Sequence, residues 1–380
     1  MSVFDLLVDQ GHVVSVLLEA VAASKEKNNS SQEMTHAWLF TGPPGSGRSS
    51  AALAFAAALV CGKSGCNNCL DCKTALTGSH ADVELVRTQG LSIKIDEVRE
   101  LIGRASWSPS VGNYRVVVIE DADRLTESAA NALLKAIEEP GLRTVWLMCA
   151  PSATDVLPTI RSRTRSLVLR TPSIAAVVAL LEKEDFSQPM ANFAARASQG
   201  HIGRARHLAK NTEARSRREA ILKISLLITD VASAFKAAQV LVDAAKAEAE
   251  DETEKDASAE LTALKEAWGE QGSRLTQGGS KAVKELEKDQ KSRATRTVRD
   301  YLDRALLDIA TLYRDVLLIQ SDSKETTINI DLISEITNLA NNSTPQATLR
   351  KLEAIMSART NLAHNAAPLL TIEALMVSLK

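Results

Sequence analysis

Short apolar runs alternate with helical patterns over the first 170 residues. Five runs are nearly free of polar residues, as is typical of strands covered on both faces: 37–40, 83–86, 116–119, 145–148 and 167–169. Helical spacing or alanine-rich sequence lies between them, at 49–60, after 95 and at 127–137. Strands that alternate with helices predict a parallel sheet with right-handed crossovers.

The strand pattern ends near Pro172, and helical patterns occupy the rest of the chain. Residues 173–212 hold three short helical stretches, punctuated by Gly200 and Gly203. Later apolar faces recur at helical spacing: Leu222, Leu226 and Leu227, then Leu302, Leu306, Ile309, Leu312 and Val316. We therefore predict an α/β domain over 1–170, a small helical lid over 171–214 and an all-α domain over 215–380.

Residues 246–300 separate their charges. An acidic cluster comes first, four glycines are expected to break the helical pattern in the middle, and a basic stretch ends the segment. The acids are Glu248, Glu250, Asp251, Glu252, Glu254 and Asp256; the glycines are Gly269, Gly272, Gly278 and Gly279; the bases are Lys281, Lys284, Lys288, Lys291, Arg293, Arg296 and Arg299. This pattern is typical of a solvated helical hairpin or a partly disordered insertion. The alternative is a basic arm that touches DNA or a partner.

The amino-acid composition argues against several classes of function. Lys and Arg number 45 against 47 Asp and Glu, a net charge of −2, which argues against a protein that coats nucleic acid by bulk charge. Aromatic residues make up only 3%, too few for the stacking platforms of most single-strand binders. No apolar run is as long as a membrane span, and the amino terminus lacks a secretory pattern. We therefore expect a cytoplasmic protein with no membrane contact.

The first predicted strand ends in a glycine-rich loop that opens a helix. The loop comprises Gly42, Pro43, Pro44, Gly45, Ser46, Gly47, Arg48 and Ser49. It matches the phosphate-binding pattern G-x-x-x-x-G-K-[ST] except that Arg48 replaces Lys. Backbone N–H groups of such a loop surround phosphate oxygens, and Ser49 is placed to ligate Mg²⁺. A guanidinium is wider than an ammonium group, so Arg48 disfavours hydrolysis, while binding of Mg-ATP and an empty relict loop both stay open.

Two acids, Glu120 and Asp121, follow the third predicted strand. A phosphate-loop enzyme uses one acid near Mg²⁺ and often another that polarises water, usually in the order Asp then Glu. The order is reversed here, so each acid has the wrong length for its usual task. We interpret the pair as a solvated strand end or helix cap.

Four cysteines are spaced as C-x4-C-x2-C-x2-C: Cys61, Cys66, Cys69 and Cys72. In a reducing compartment this spacing predicts a metal site rather than disulfides, and four sulfur donors select Zn²⁺. A closed four-sulfur shell leaves no position for water, so we predict a structural zinc module over about 61–80. His80 is predicted to be a surface or capping residue, and Cys149 a small buried hydrophobic residue.

Several segments together resemble one family. The sequence at 125–140, LTESAANALLKAIEEP, is similar to the signature of AAA+ clamp-loader subunits. The cysteine cluster followed by GSHAD at 78–82 resembles the gamma/tau and delta prime subunits of bacterial DNA polymerase III. Ser162-Arg163-Thr164 resembles their Ser-Arg-Cys motif, and the pattern from Arg359 to Glu373 resembles their collar. The resemblance covers nearly all of the chain except 246–300. It implies an AAA+ P-loop domain with an inserted zinc module, a helical lid and a helical collar.

Departures from the family pattern separate its members. The gamma/tau ATPases keep the loop Lys, the Asp-Glu order and an arginine three residues after the glycine that opens a lid helix. Here Gly203 takes that place after Gly200, and Arg204 comes one residue late. The polar residue after the fourth strand is replaced around Ala150-Pro151. The resemblance therefore favours the delta prime branch, a component of the DNA polymerase III holoenzyme without ATPase activity of its own.

The resemblance also implies a role for Arg163. In the family this arginine points into the ATP site of a neighbouring subunit and neutralises charge on the γ-phosphate. The implied partners are gamma/tau and delta subunits in a hetero-pentamer, the sliding clamp, and primed DNA through the assembly. Two alternatives stay open: an active gamma/tau-like ATPase that uses Arg48, and a zinc-dependent nucleic-acid-binding module.

Overall fold

The computed structural model describes residues 2–25, 33–88, 92–141, 143–267, 277–323 and 325–380. The chain divides into two compact units, Met1–Ala209 and Lys210–Lys380. The three-domain division at 170 and 214 stays a prediction.

The first unit is built on a five-stranded parallel sheet. Its strands are β1 (Ala37–Thr41), β2 (Val83–Val86), β3 (Arg115–Ile119), β4 (Thr144–Ala150) and β5 (Arg165–Val168). They lie in the order β2-β3-β4-β1-β5, and every neighbouring pair is parallel. The three central strands are buried along their whole length, because helices cover both faces of the sheet. The predicted strands and the parallel sheet are confirmed.

The helices of the first unit are α1 (Gly11–Ala23), α2 (Arg48–Val60), α3 (Leu70–Thr77), α4 (Ile95–Ala105), α5 (Glu127–Glu138), α6 (Pro158–Arg161), α7 (Ile174–Lys183), α8 (Gln188–Ala197) and α9 (Ile202–Lys210). Helices α1 and α2 share a core with one face of the sheet, and α4 and α5 share a core with the other. Side chains alternate across β1. Trp38 packs edge-on against Phe55 of α2, with ring centroids 5.1 Å apart, whereas Leu39 joins the core with Leu101 of α4 and Leu133 of α5.

A buried carboxylate fixes the loop that precedes β3. Asp82 accepts hydrogen bonds from the backbone N–H groups of Ser110, Val111 and Gly112 at 2.6, 2.7 and 2.6 Å. Burial opposes the ionisation of Asp82, but these N–H groups outweigh it and lower the pKa of the carboxyl to about 2. The last residue of the GSHAD motif at 78–82 therefore anchors a neighbouring loop.

The second unit is helical throughout its described elements. It contains α10 (Thr212–Leu226), α11 (Val231–Ala267), α12 (Gln277–Gln320), α13 (Ile333–Asn341), α14 (Pro345–Ala363) and α15 (Pro368–Ser378). The predicted apolar face on α12 is buried from Leu302 to Val316. The expectation that Leu227 shares a face with Leu222 is wrong, because α10 ends at Leu226 and Leu227 is 71% exposed at its C-cap.

Buried polar groups connect α10, α12 and the segment before α13. The guanidinium of Arg218 donates to Asp308 at 3.0 Å and also to the Asn329 side chain. Asp315 accepts hydrogen bonds from the backbone N–H groups of Ile328 and Asn329, at 2.9 and 2.8 Å. Because buried charges need partners, this network fixes the 328–329 backbone onto α12.

The described parts of the charged segment 246–300 are helical. α11 continues to Ala267, and α12 begins at Gln277. Gly278 and Gly279 lie inside α12, so the expectation that they break the segment is wrong, whereas Gly269 and Gly272 lie outside the described residues. Among the helices that the structure describes, none combines the length and apolar character that a bilayer crossing requires.

Candidate functional site

The phosphate loop leaves β1 at Thr41 and ends where α2 begins. Gly45 has a φ of 87°, and a Cβ there would lie 2.7 Å from the side chain of His201. A Cβ on Gly42 would lie 2.5 Å from the carbonyl oxygen of Leu169. Glycine is therefore required at both positions, because the backbone is left-handed at Gly45 and its surroundings approach closely at both.

The loop borders a cavity of about 560 Å³. The amino-terminal segment, the loop residues from Pro44 to Ser49 and the start of α9 line it. This volume lies within the usual range for small-molecule sites, about 300–1,000 Å³. The hydroxyl of Ser46 is buried and has no hydrogen-bond partner among the described residues.

Residues outside the loop motif complete the cavity wall. The Gln10 amide donates to the carbonyl oxygens of Ser46 and Arg170, at 3.3 and 2.5 Å. Arg206 lines the cavity and pairs with Glu184 at 2.6 Å. Neither Gln10 nor Arg206 was predicted from the sequence. His201 also lines the cavity, and it directly follows Gly200, a glycine with a positive φ that the sequence had marked as the start of a helix.

Arg48 folds back onto its own loop. One terminal guanidinium nitrogen donates to the carbonyl oxygen of Gly42 at 2.7 Å. A loop lysine in this position would hold its charge on a compact ammonium group that fits between two phosphates, whereas the guanidinium is planar and longer. The cation is therefore engaged by backbone at the edge of the cavity.

The two acids after β3 do not form a matched pair. Glu120 accepts a hydrogen bond from Nε of Arg87 at 3.0 Å, and Asp121 precedes the 3₁₀ turn Ala122–Arg124. Sequence reasoning missed the next acid, Asp123. Burial and the nearby charge of Asp121 raise the pKa of Asp123, which Arg48 partly opposes.

The four cysteines converge between the end of α2 and the start of α3. Their sulfur atoms all lie within 4.8 Å of one another, and Cys61 Sγ lies 3.9 Å from Cys66 Sγ and 3.6 Å from Cys69 Sγ. A tetrahedral ZnS₄ centre has sulfur–sulfur edges of about 3.8 Å, given Zn–S bonds of about 2.3 Å. The group from Cys61 to Cys72 can therefore hold a metal ion, and its donors fit zinc.

The surroundings of the cluster favour a thiolate at Cys61. Burial opposes ionisation of this thiol, but backbone N–H groups, including those of Cys66 and Lys63, lower its pKa to about 6. His80 is buried beside the module, with Nε2 3.7 Å from Asp71, so the surface alternative for His80 is wrong. Its Nδ1 accepts the backbone N–H of Asp82 at 3.0 Å, which is a capping contact. Cys149 is buried on β4 as expected, and burial raises its pKa.

Arg163 lies between α6 and β5, with 41% of its side chain exposed. Its Nε donates to Glu138 at 2.5 Å, and a terminal nitrogen donates to the carbonyl oxygen of Thr159 at 3.0 Å. These contacts orient an exposed guanidinium at the carboxyl end of α5. Glu138 belongs to the 125–140 segment, but sequence reasoning gave it no role.

A family model and several curated proteins match part of this chain. The family model described as DNA polymerase III, delta subunit, matches residues 19–173. The DNA polymerase III subunit delta' of Bacillus subtilis is 32% identical over 50% of this chain and 59% of its own length. The delta' subunit of Pseudomonas aeruginosa is 35% identical over 37% of this chain and 45% of its own.

A gamma/tau subunit is similar as well. The protein of Mycobacterium bovis is 32% identical over 47% of this chain and 31% of its own length. The chain thus spans about a third to three fifths of the length of these curated relatives.

A five-stranded parallel sheet with a phosphate loop between β1 and α2 and acids after β3 defines a P-loop α/β protein. Residues 19–173 are thus similar to DNA polymerase III subunits, with delta' subunits among the relatives that match them. The predicted fold class and the family resemblance are therefore confirmed.

Proposed function

We propose that this chain is a delta prime-type stator of a DNA polymerase III clamp loader. In this proposal it joins gamma/tau and delta subunits in a hetero-pentamer and presents Arg163 to the ATP site of a gamma/tau neighbour. The assembly then loads the sliding clamp on primed DNA. The observation that carries the proposal is the exposed, hydrogen-bonded Arg163 in a chain whose own loop cation, Arg48, is bonded to backbone.

The chemistry of the finger is electrostatic. A guanidinium at the neighbour's γ-phosphate neutralises charge that develops during phosphoryl transfer, and such fingers contribute on the order of 10³–10⁵ in rate in well-studied NTPases. Arg163 is exposed enough to reach another chain, and the bonds to Glu138 and Thr159 reduce the conformational freedom that it would lose on docking.

The chain's own site is proposed to bind nucleotide at most, without turnover. The cavity of about 560 Å³ beside the phosphate loop favours binding. The contact of Arg48 with Gly42 and the pairing of Glu120 with Arg87 argue against hydrolysis, since neither charge is presented to a γ-phosphate or to water.

Zinc is proposed as a structural ion held by Cys61, Cys66, Cys69 and Cys72. When bound, it cross-links the end of α2 to the start of α3. The module also meets the amino terminus, because the Val3 backbone N–H donates to the carbonyl oxygen of Gly65 at 3.0 Å. A closed sulfur shell supplies folding energy rather than catalysis.

The test reconstitutes the complex with gamma/tau and delta subunits and measures its DNA- and clamp-stimulated ATPase rate. Arg163→Ala is expected to lower the rate at least tenfold at the site that the finger serves, with assembly unchanged by gel filtration. The matched control is Arg161→Ala, which removes another exposed arginine two residues away. An Arg163→Ala complex that hydrolyses ATP at the parental rate would overturn the finger assignment.

A further inference from the structure

The outer parts of α11 and α12 extend beyond the buried core of the second unit. We call residues 250–267 of α11 and 277–299 of α12 the arm. Among the described side chains, the buried apolar residues of α11 end at Ala249 and those of α12 begin at Leu302. Cross-helix hydrogen bonds within the arm join Glu260 to Arg293 at 2.7 Å and to Gln290 at 3.3 Å. None of the described side chains of the arm is buried, so a function of the arm depends on its exposed surface.

Three lysines share one exposed face of the arm. Lys284, Lys288 and Lys291 are four and three residues apart, a spacing that places side chains on the same side of a helix, and all three are exposed. We call them the lysine stripe. Arg293, which pairs with Glu260 of α11, comes nine positions after Lys284, or about two and a half helical turns. The lysine stripe therefore faces away from α11, and Glu287 flanks it on one side.

We propose that the lysine stripe binds the phosphate backbone of duplex DNA. The three lysines span about 10.5 Å of helix axis at 1.5 Å per residue, and duplex DNA carries about one phosphate charge per 1.7 Å. The three lysine charges are therefore opposite in sign to the phosphate charges over the same length. Lysine is a compact point charge suited to single phosphates.

The chemistry of the arm selects duplex over single-stranded DNA and backbone over bases. Residues 277–300 contain no aromatic side chain, so the stacking that holds single strands is missing. Lysines on a solvent-facing helix carry no donor–acceptor pattern that reads base edges. The net charge of −2 over the whole chain means that such binding is local to this face rather than a bulk property. The proposal does not depend on the role of Arg163.

The experiment measures fluorescence anisotropy of a labelled random-sequence duplex titrated with the purified full chain between 50 and 200 mM salt. The wild type is expected to bind with an affinity that falls steeply with salt. The variant Lys284→Glu/Lys288→Glu/Lys291→Glu is expected to bind at least tenfold more weakly at low salt. Its salt slope should be smaller by about 2.7, or about 0.9 for each phosphate that the protein no longer neutralises. The variant with three arginines at these positions is expected to retain binding.

The matched control reverses three exposed cations elsewhere in the same unit: Lys236→Glu/Lys246→Glu/Arg350→Glu. It makes the same change in net charge and is expected to stay within threefold of the wild type. Circular dichroism melts verify that each variant is folded. The proposal is overturned if the wild type does not bind duplex DNA, or if the control variant weakens binding as much as the glutamate variant of the stripe. It is also overturned if the wild type binds an acidic polymer such as polyglutamate but not duplex DNA. Since the chain is tested alone, these outcomes are separate from the Arg163 experiment.

Discussion

Arg163 and Glu138 form an ion pair at the carboxyl end of α5, with Nε of the arginine 2.5 Å from Oε1 of the glutamate. Glu138 is the last residue of α5, and Arg163 follows α6. Twenty-five positions of chain separate the two residues, so the fold, not local sequence, brings them together. Both side chains are partly exposed, and we therefore treat the contact as one that orients Arg163 rather than one that stabilises the fold.

The first prediction concerns this orientation. Glu138→Gln removes the charge that holds the guanidinium while keeping the side chain's size. The ATPase rate of the reconstituted complex is expected to fall several-fold, up to about tenfold, because a misplaced catalytic group loses much of its effect. Glu139→Gln, which changes the adjacent exposed glutamate, is expected to have the parental rate. Equal rates for the two variants would show that Glu138 does not orient Arg163 for catalysis.

The second prediction concerns zinc. Cys69→Ser is expected to lower the metal content well below one ion per chain, as measured by elemental analysis of natively purified protein. Loss of the metal should destabilise the first unit by on the order of 3 kcal/mol, read from a chemical denaturation curve. Cys149→Ala, which removes a buried thiol outside the cluster, should keep its metal. Wild-type protein with much less than one zinc per chain would contradict the structural role.

The third prediction concerns Asp82 and pH. Its folded-state pKa of about 2 lies below the unfolded value of about 3.9. A depressed folded pKa gives stability that is complete above the unfolded pKa and is lost as pH falls through the folded one. The wild type should therefore lose about 2 to 3 kcal/mol between pH 5 and pH 1 through this group.

Asp82→Asn tests that assignment. The amide retains one acceptor and turns donors toward the 110–112 N–H groups, so we expect a loss of about 2–4 kcal/mol at pH 7. The variant should also have a shallower fall in stability below pH 4 than the wild type in matched urea titrations. Asp96→Asn, on the exposed start of α4, should behave like the wild type. Parallel pH profiles for Asp82→Asn and wild type would exclude the anchoring role.

The fourth prediction separates nucleotide binding from hydrolysis. Arg48→Lys removes the contact with the Gly42 carbonyl and restores the usual loop cation. We expect tighter binding of Mg-ATP by the isolated chain in filter-binding assays. Phosphate release should stay at background in both proteins, because the reversed acids Glu120 and Asp121 are unchanged. Turnover by the isolated wild-type chain would instead favour the active-ATPase alternative.

Much of the first unit was predictable because its signals are local. Unbroken apolar runs specified the buried strands, and the spacing of the glycines located the loop before α2. The cysteine spacing likewise predicted that four sulfur atoms would meet, since Cys61 and Cys72 are only eleven positions apart. The amphipathic face of α12 from Leu302 to Val316 was visible for the same reason.

Other contacts had no local signature. Gln10 reaches Ser46 and Arg170 only because the sheet brings the loop next to the end of β5. The direction of the Arg48 side chain was also not predictable, since the sequence allowed it to reach either a phosphate or the backbone of its own loop.

By itself, the amino-acid sequence determined the alternation of strands and helices, the phosphate-loop turn and the convergence of the four cysteines, because each depends on residues close together along the chain. The tertiary structure decided which charges meet: Arg163 with Glu138, Glu120 with Arg87, and Arg218 with Asp308. The physical reason is the distance along the chain over which each effect acts. Backbone propensity and hydrophobic periodicity act over a few residues, whereas the position of a charged side chain relative to a distant partner is fixed only when the core has packed.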